Sequence, residues 1–160
     1  MFMKTKFLFP ASYKKWGWII LIPAVIFGFI DLFAEFQPEF LDWKVPVIYV
    51  NELFGKTTYF GFIENNVLNE ILGVLVIIGS VLVAFSKQPN EDEFIAKIRL
   101  ESLVWATYVN YGILLLAFLF VYDTGFLWVM IFNMFTILLF FIVRFHWQIL
   151  KMRKTVSYAE

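Results

Sequence analysis

Four long apolar segments constrain the fold of this chain more than any other feature. They cover residues 16–33, 67–85, 100–122 and 126–147. An α-helix rises 1.5 Å per residue, so about 20 apolar residues cross the ~30 Å hydrocarbon core of a bilayer. The sequence therefore predicts an all-α, polytopic membrane protein, in which four transmembrane helices form a bundle of two antiparallel hairpins.

The composition also favours a membrane protein. The chain is 61% hydrophobic and 16% charged, with a mean hydropathy of +0.77, whereas an average soluble domain is about half apolar and a quarter charged. The net charge of zero gives no reason to expect a nucleic-acid partner. Cysteine is absent, which excludes disulfides and thiolate metal sites. We expect a single membrane domain over residues 1–160, surrounded by lipid bilayer, with no cofactor and no metal.

Basic residues are distributed unequally between the two sides of the predicted spans. With a cytoplasmic N-terminus, 11 of the 13 basic residues lie inside, namely Lys4, Lys6, Lys14, Lys15, Lys87, Lys97, Arg99, Arg144, Lys151, Arg153 and Lys154. Lys44 and Lys56 then lie outside. Because short loops rich in Lys and Arg stay in the cytoplasm, the sequence predicts that both termini are cytoplasmic.

The outer loop, residues 34–66, is rich in carboxylates and aromatic side chains. A segment this short, with no disulfide, has little capacity to bury a core of its own. We therefore expect it to lie along the outer membrane interface and not to form a domain.

A cytoplasmic connection, residues 86–99, joins the two helical hairpins. Asn90 and Glu93 have the spacing of a capping box, which predicts a helix that begins near Glu91 and continues into the third span. Its first turns would protrude from the membrane or lie on its cytoplasmic face. The candidate partner-binding residues there are Glu91, Asp92, Glu93, Lys97 and Arg99.

A tight turn at residues 123–125 makes the third and fourth spans antiparallel neighbours. Counted from that turn, Glu101, Arg144 and His146 share a depth near the cytoplasmic surface. The sequence predicts a structural ion pair of Glu101 with Arg144 or His146. Catalysis by the lone histidine would need a nucleophile or metal ligands around it, and the sequence arranges none there.

Small and polar residues recur on one helical face of each of the first two spans. They are Gly17, Ala24, Gly28 and Asp31 on the first span, and Glu70, Gly73, Ser80 and Ala84 on the second. Such faces let transmembrane helices pack closely. Asp31 and Glu70 lie at the outer ends of these faces. They either form a paired-carboxylate site that binds a cation or proton, or are acidic residues stabilised separately at the membrane boundary. We favour the second interpretation, because the helix dipole stabilises Glu70 and water reaches Asp31.

Asn110 and Asn133 are the deepest polar residues of the third and fourth spans. Counted in residues from the turn, Asn110 lies at about the same depth as Thr136 and at a different depth from Asn133. They either hydrogen-bond between helices or line a translocation path, and we favour the hydrogen bonds, since a path normally carries more polar residues.

The stretches FSKQPNEDEFIAKIRLESLVWATYVNY and VMIFNMFTILLFFIVRF resemble a group of uncharacterised small bacterial integral membrane proteins with four helices. More loosely, the acidic helix start followed by a basic residue and a transmembrane hairpin is similar to membrane partners of helix-turn-helix regulators. The resemblance implies a multi-pass protein of the bacterial cytoplasmic (inner) membrane, and it brings no catalytic or binding residues.

Two functional hypotheses follow from these features. The leading one is a non-enzymatic membrane accessory or regulatory protein that acts through helix packing and through its charged cytoplasmic helix extension, because the phosphate-loop, zinc-protease and nucleophile-elbow motifs are missing. The alternative is a small ion or solute transporter or channel subunit that uses Asp31, Glu70, Asn110 and Asn133. A homo-oligomer would suit the alternative, since four helices enclose little space.

Overall fold

A computed structural model describes residues 7–34, 36–51, 57–89 and 92–157 of the chain. Within these ranges, four α-helices dominate, and all four are long and apolar enough to cross a membrane. They are α1 (Tyr13–Ala34), α2 (Leu68–Phe85), α3 (Glu93–Phe120) and α4 (Asp123–Ser157). The four predicted spans of a multi-pass membrane protein are therefore confirmed as helices.

The prediction of a purely α-helical fold is wrong, because the outer loop contains an antiparallel β-hairpin. Strand β1 (Asp42–Asn51) pairs with β2 (Thr57–Asn66), and the register runs from Asp42 opposite Asn66 to Asn51 opposite Thr57. Both strands are rich in Val, Ile, Tyr and Phe, which fit a pleated sheet. The sequence interpretation counted charges and aromatic residues in this segment and overlooked its strand-forming composition.

Asn66 and its neighbour fasten the base of the hairpin to the start of α2. The Asn66 side-chain amide donates to the Pro38 carbonyl at 2.9 Å and to the Asp42 carboxylate at 2.7 Å. The Val67 amide donates to the Leu41 carbonyl, and the Asn66 side chain accepts from the Leu68 amide. The hairpin is thus hydrogen-bonded to the residues beside it in the chain, directly before the second span.

The chain divides into two compact units, residues 22–76 and the remainder. In the second of these, α1 and α2 approach closely at two glycines. A Cβ atom on Gly79 would lie 2.9 Å from the Leu21 backbone nitrogen, and one on Gly17 would lie 2.8 Å from a Val83 methyl carbon. Close packing through small residues was predicted, and Gly17 is one of the predicted positions. Gly79 was not predicted, and the predicted Gly28 has no such contact, since nothing lies within 4 Å of its Cβ position.

The connection between α3 and α4 consists of Val121 and Tyr122 alone. The turn predicted at residues 123–125 therefore lies two residues too late, because these residues already belong to α4. Asp123 adopts a left-handed backbone conformation with φ of 56°, which lets the chain reverse within so short a link. The two helices pack along one face of α3 that contains Ile95, Ile98, Arg99, Ser102, Ala106 and Asn110.

Substitution of Gly79 by alanine tests the close packing of α1 and α2. The added methyl group would meet the backbone of Leu21, which cannot turn aside as a side chain can, so we expect a loss of about 1–3 kcal/mol in stability. Gly28→Ala is the matched control and should be neutral or slightly stabilising. Unfolding of the full chain in detergent measures both, and equal effects of the two substitutions would contradict the packing.

Candidate functional site

Arg99 is the central residue of a polar cluster where α2 ends and α3 begins. Its side chain is buried, with 7% of its surface exposed. Its guanidinium donates to the Ala84 carbonyl at 2.8 Å and to the Ser86 carbonyl at 3.3 Å. Carbonyls in the last turn of a helix lack intrahelical partners, and a cation there is favoured by the helix dipole. Arg99 therefore caps the C-terminal end of α2 from the neighbouring helix.

Aromatic rings connect the same arginine to α4. The Arg99 guanidinium carbon lies 4.6 Å from the centre of the Phe145 ring, within cation–π range. Phe145 stacks on Phe141 at 5.7 Å, and Phe141 stacks on Phe85 at 5.8 Å between ring centres. One side chain thus holds three helices together.

The segment before α1 pairs with the same part of the connection. The Phe9 amide donates to the Phe85 carbonyl, and the Phe9 carbonyl accepts from the Lys87 amide, each at 2.9 Å. This is a short parallel bridge opposite Ser86, whose carbonyl accepts from Arg99. Neither Phe9 nor Ser86 was predicted as a site residue, and no sequence pattern marks a single bridge of this kind.

Arg99 does not belong to an exposed partner-binding surface, so that part of the prediction is wrong. Its position on the stripe of α3 with Ile95 and Ile98 was already visible in the sequence, and this stripe is buried. Asp92, Glu93 and Lys97 are exposed as expected. Glu91 lies outside the described residues.

The cap of α3 also differs from the prediction. The Asp92 carboxylate accepts from the Ile95 amide at 2.8 Å, so Asp92 is the N-cap and α3 begins at Glu93, two residues after the expected start. Asp92 is as good a capping residue as the Asn90 that was predicted. The expected continuation into the third span is confirmed, since α3 runs unbroken to Phe120.

One face of the first turns of α3 remains exposed, and we call it the α3 face. It combines charged and large apolar side chains, namely Glu93, Phe94, Lys97, Leu100 and Glu101. These positions recur at helical spacing on the side away from the buried stripe. Within the face, Lys97 and Glu101 form an exposed pair at 4.0 Å, which adds little stability.

The predicted ion pair of Glu101 with Arg144 or His146 is absent from the described residues. Glu101 pairs with Lys97 instead, and the Arg144 guanidinium lies over the Trp105 ring, 4.7 Å from its centre. A ring nitrogen of His146 lies 2.8 Å from the Ile142 carbonyl of its own helix. The estimate of a shared depth ignored the direction of each side chain, and Glu101 lies on the exposed side of α3.

The deep polar residues form a pair between helices. The Thr136 hydroxyl donates to the Asn110 side-chain oxygen, which confirms the predicted match of these two residues. The Thr136 oxygen also lies 3.3 Å from the carbonyl of Asn133, one turn earlier in α4. The contact therefore joins α3 to α4 inside the apolar region.

The four polar residues of the transporter hypothesis are divided between the two compact units. Asp31 and Glu70 belong to one compact unit, and Asn110 and Asn133 to the other. The Glu70 carboxylate accepts from the Asn65 side chain at 2.7 Å. Among the described residues, no group of three or more His, Asp or Glu side chains could hold a metal ion.

The comparisons with known proteins leave the family of this chain open. No family model, no curated protein and no solved structure matches it. The resemblance to small bacterial four-helix membrane proteins therefore stays a prediction.

Replacing Arg99 tests its role as the cap of α2. Arg99→Gln removes charge-assisted hydrogen bonds, each worth about 1.5–3 kcal/mol, and a cation–π contact. We expect a loss of about 2–4 kcal/mol in stability, measured by unfolding in detergent. Lys97→Gln, two residues away and exposed, should change stability by less than about 0.5 kcal/mol. Arg99→Gln as mild as Lys97→Gln would show that the cap is dispensable.

Proposed function

We propose that this chain is a non-enzymatic membrane accessory or regulatory protein that binds a cytoplasmic partner through the α3 face. The observation that carries the proposal is the division of the first turns of α3 into two sides. Arg99 fixes one side against the ends of α2 and α4, while the α3 face is left without packing from the described part of the chain. A rigid helix with one exposed side is a suitable docking element, because it loses little conformational entropy on binding.

The chemistry of the α3 face supports a protein partner. Phe94 and Leu100 are each more than half exposed, and they stand among Glu93, Lys97 and Glu101. Apolar side chains framed by charges of both signs are typical of interfaces in which the apolar contacts give affinity and the charges give specificity. A surface that faced lipid alone would not need three charged residues.

The proposal of a non-enzymatic role rests on the contacts that the polar side chains in and near the Arg99 cluster make. Arg99 donates to two backbone carbonyls, and His146 contacts a carbonyl of its own helix and the edge of the Trp18 ring. These contacts give both side chains structural roles in the packing of the helices.

The proposed setting is the bacterial inner membrane, with both termini in the cytoplasm. The excess of basic residues near the α2–α3 connection and the termini supports this orientation. It places the α3 face on the cytoplasmic side and the β-hairpin outside.

Charge reversal on the α3 face tests the proposal. The triple variant Glu93→Lys, Lys97→Glu, Glu101→Lys changes exposed side chains only, so the chain should fold normally and lose its partner. Partner recovery is measured by quantitative mass spectrometry after purification of the full chain in mild detergent. We expect recovery to fall about tenfold or more, which corresponds to ~1.4 kcal/mol of binding free energy.

The matched control exchanges another exposed ion pair on the hairpin, Lys44→Glu with Glu64→Lys, whose atoms lie 3.6 Å apart in the native chain. This control should retain the partner. The proposal fails if the partner persists in the triple variant, if the control loses it equally, or if no protein is enriched with the native chain.

A further inference from the structure

One side of the β-hairpin is exposed and apolar beyond the Lys44–Glu64 ion pair at its base, and we call this part the apolar face. It consists of Pro46, Ile48, Phe60 and Phe62. Ile48, Phe60 and Phe62 are 74%, 83% and 75% exposed. Pro46 stands opposite Phe62 in the register, and successive residues of a strand alternate between faces, so all four side chains lie on the same side.

The other side of the hairpin is less exposed. Val45, Val47 and Ile63 are half-buried there, and the Tyr49 and Tyr59 rings, 56% and 68% exposed, contact each other across the strands at 5.4 Å between centres. A two-stranded hairpin is marginal in water without something packed on it. The apolar face is therefore the more exposed apolar surface that is left for a partner to cover.

The attachment of the hairpin identifies that partner. Asn66 bonds to Asp42 and to Pro38 at the base of the hairpin, and only Val67 separates β2 from the membrane-spanning helix α2. At about 3.3 Å per residue, no part of a ten-residue strand lies more than ~33 Å from the end of that helix. A lipid surface is always within reach of the hairpin.

We propose that the apolar face docks onto the lipid surface of the membrane, at the boundary between headgroups and acyl chains. Phe and Pro side chains bury apolar area there, and the Tyr and Trp residues of the hairpin are typical of the same zone. The hairpin lies along the surface and does not insert, because its two open strand edges would leave backbone groups unsatisfied in hydrocarbon.

Charge defines the kind of lipid interaction. The described carboxylates at the base of the hairpin are Glu39, Asp42, Glu64 and Glu70, against the single described cation Lys44. A surface with this excess of negative charge gains nothing from anionic headgroups. The docking is driven by apolar burial, so anionic lipid does not strengthen it and high salt does not weaken it.

The backbone conformation of Phe60 is consistent with docking of the apolar face onto lipid. Its φ of 51° lies in the left-handed region, which is strained for a bulky side chain. The register on either side of it, Val47 with Gly61 and Tyr49 with Tyr59, is unchanged. The strained residue is also more exposed than Ile48 and Phe62, and burial in lipid offsets the cost of presenting it.

The absence of native cysteine permits a direct test in the full chain. Single cysteines at Ile48, Phe60 and Phe62 are labelled with a nitroxide, and the protein is reconstituted into zwitterionic vesicles. Power-saturation EPR then compares collisions of each label with oxygen, which concentrates in lipid, and with a water-soluble nickel chelate. The controls are Tyr59→Cys, an exposed position on the other side of the hairpin, and Leu115→Cys, an exposed position on the apolar part of α3 that verifies insertion.

We expect the oxygen-to-nickel ratio at Ile48, Phe60 and Phe62 to exceed that at Tyr59 several-fold and to approach that at Leu115. Anionic lipid should not raise the ratios, and high salt should not lower them. Ratios at all three positions equal to that at Tyr59 overturn the proposal. So does protection accompanied by spin–spin broadening that disappears on dilution with unlabelled protein, because a second copy of the chain then covers the face. Agreement among three separate labels excludes a local disturbance by any one of them.

Discussion

The hydrogen bonds from Arg99 to the end of α2 are the contact on which the arrangement of this chain around the α2–α3 connection depends. A helix that ends in an apolar environment leaves carbonyls without partners, and such groups are costly to bury. Arg99 satisfies Ala84 and Ser86 from α3 and lies against Phe145 of α4. Because its charge meets the negative end of the α2 dipole, the contact is electrostatically matched as well.

This contact has a consequence for the surface of α3. The buried stripe that carries Arg99 also carries Asn110, which accepts a hydrogen bond from Thr136 of α4, so α3 is fixed in rotation at two depths. A helix fixed in this way presents its opposite side in a defined orientation. The proposed partner surface therefore follows from the packing of the buried side.

The sequence predicted the helices well because hydrophobic length is a strong signal in a membrane protein. It also matched Asn110 to Thr136, since depth in an antiparallel pair follows from counting residues. It misassigned Arg99 because a charged residue was assumed to be exposed, although Arg99 lies on the buried stripe of α3. It paired Glu101 with Arg144 because two residues at the same depth can still point their side chains in different directions. It missed the β-hairpin because the charges and aromatic residues of the segment were considered and its strand-forming composition was not. The bridge at Phe9 depends on tertiary contacts alone.

Hydrogen exchange of the full chain in lipid nanodiscs tests the central claim most directly. The Phe9 and Lys87 amides are bonded across the bridge next to the carbonyls that Arg99 holds. If Arg99 organises this region, Arg99→Gln should accelerate exchange of these two amides about tenfold or more, while the Val121 amide, bonded to Ala117 at the far end of α3, keeps its native rate. Unchanged exchange at Phe9 and Lys87 would contradict the account.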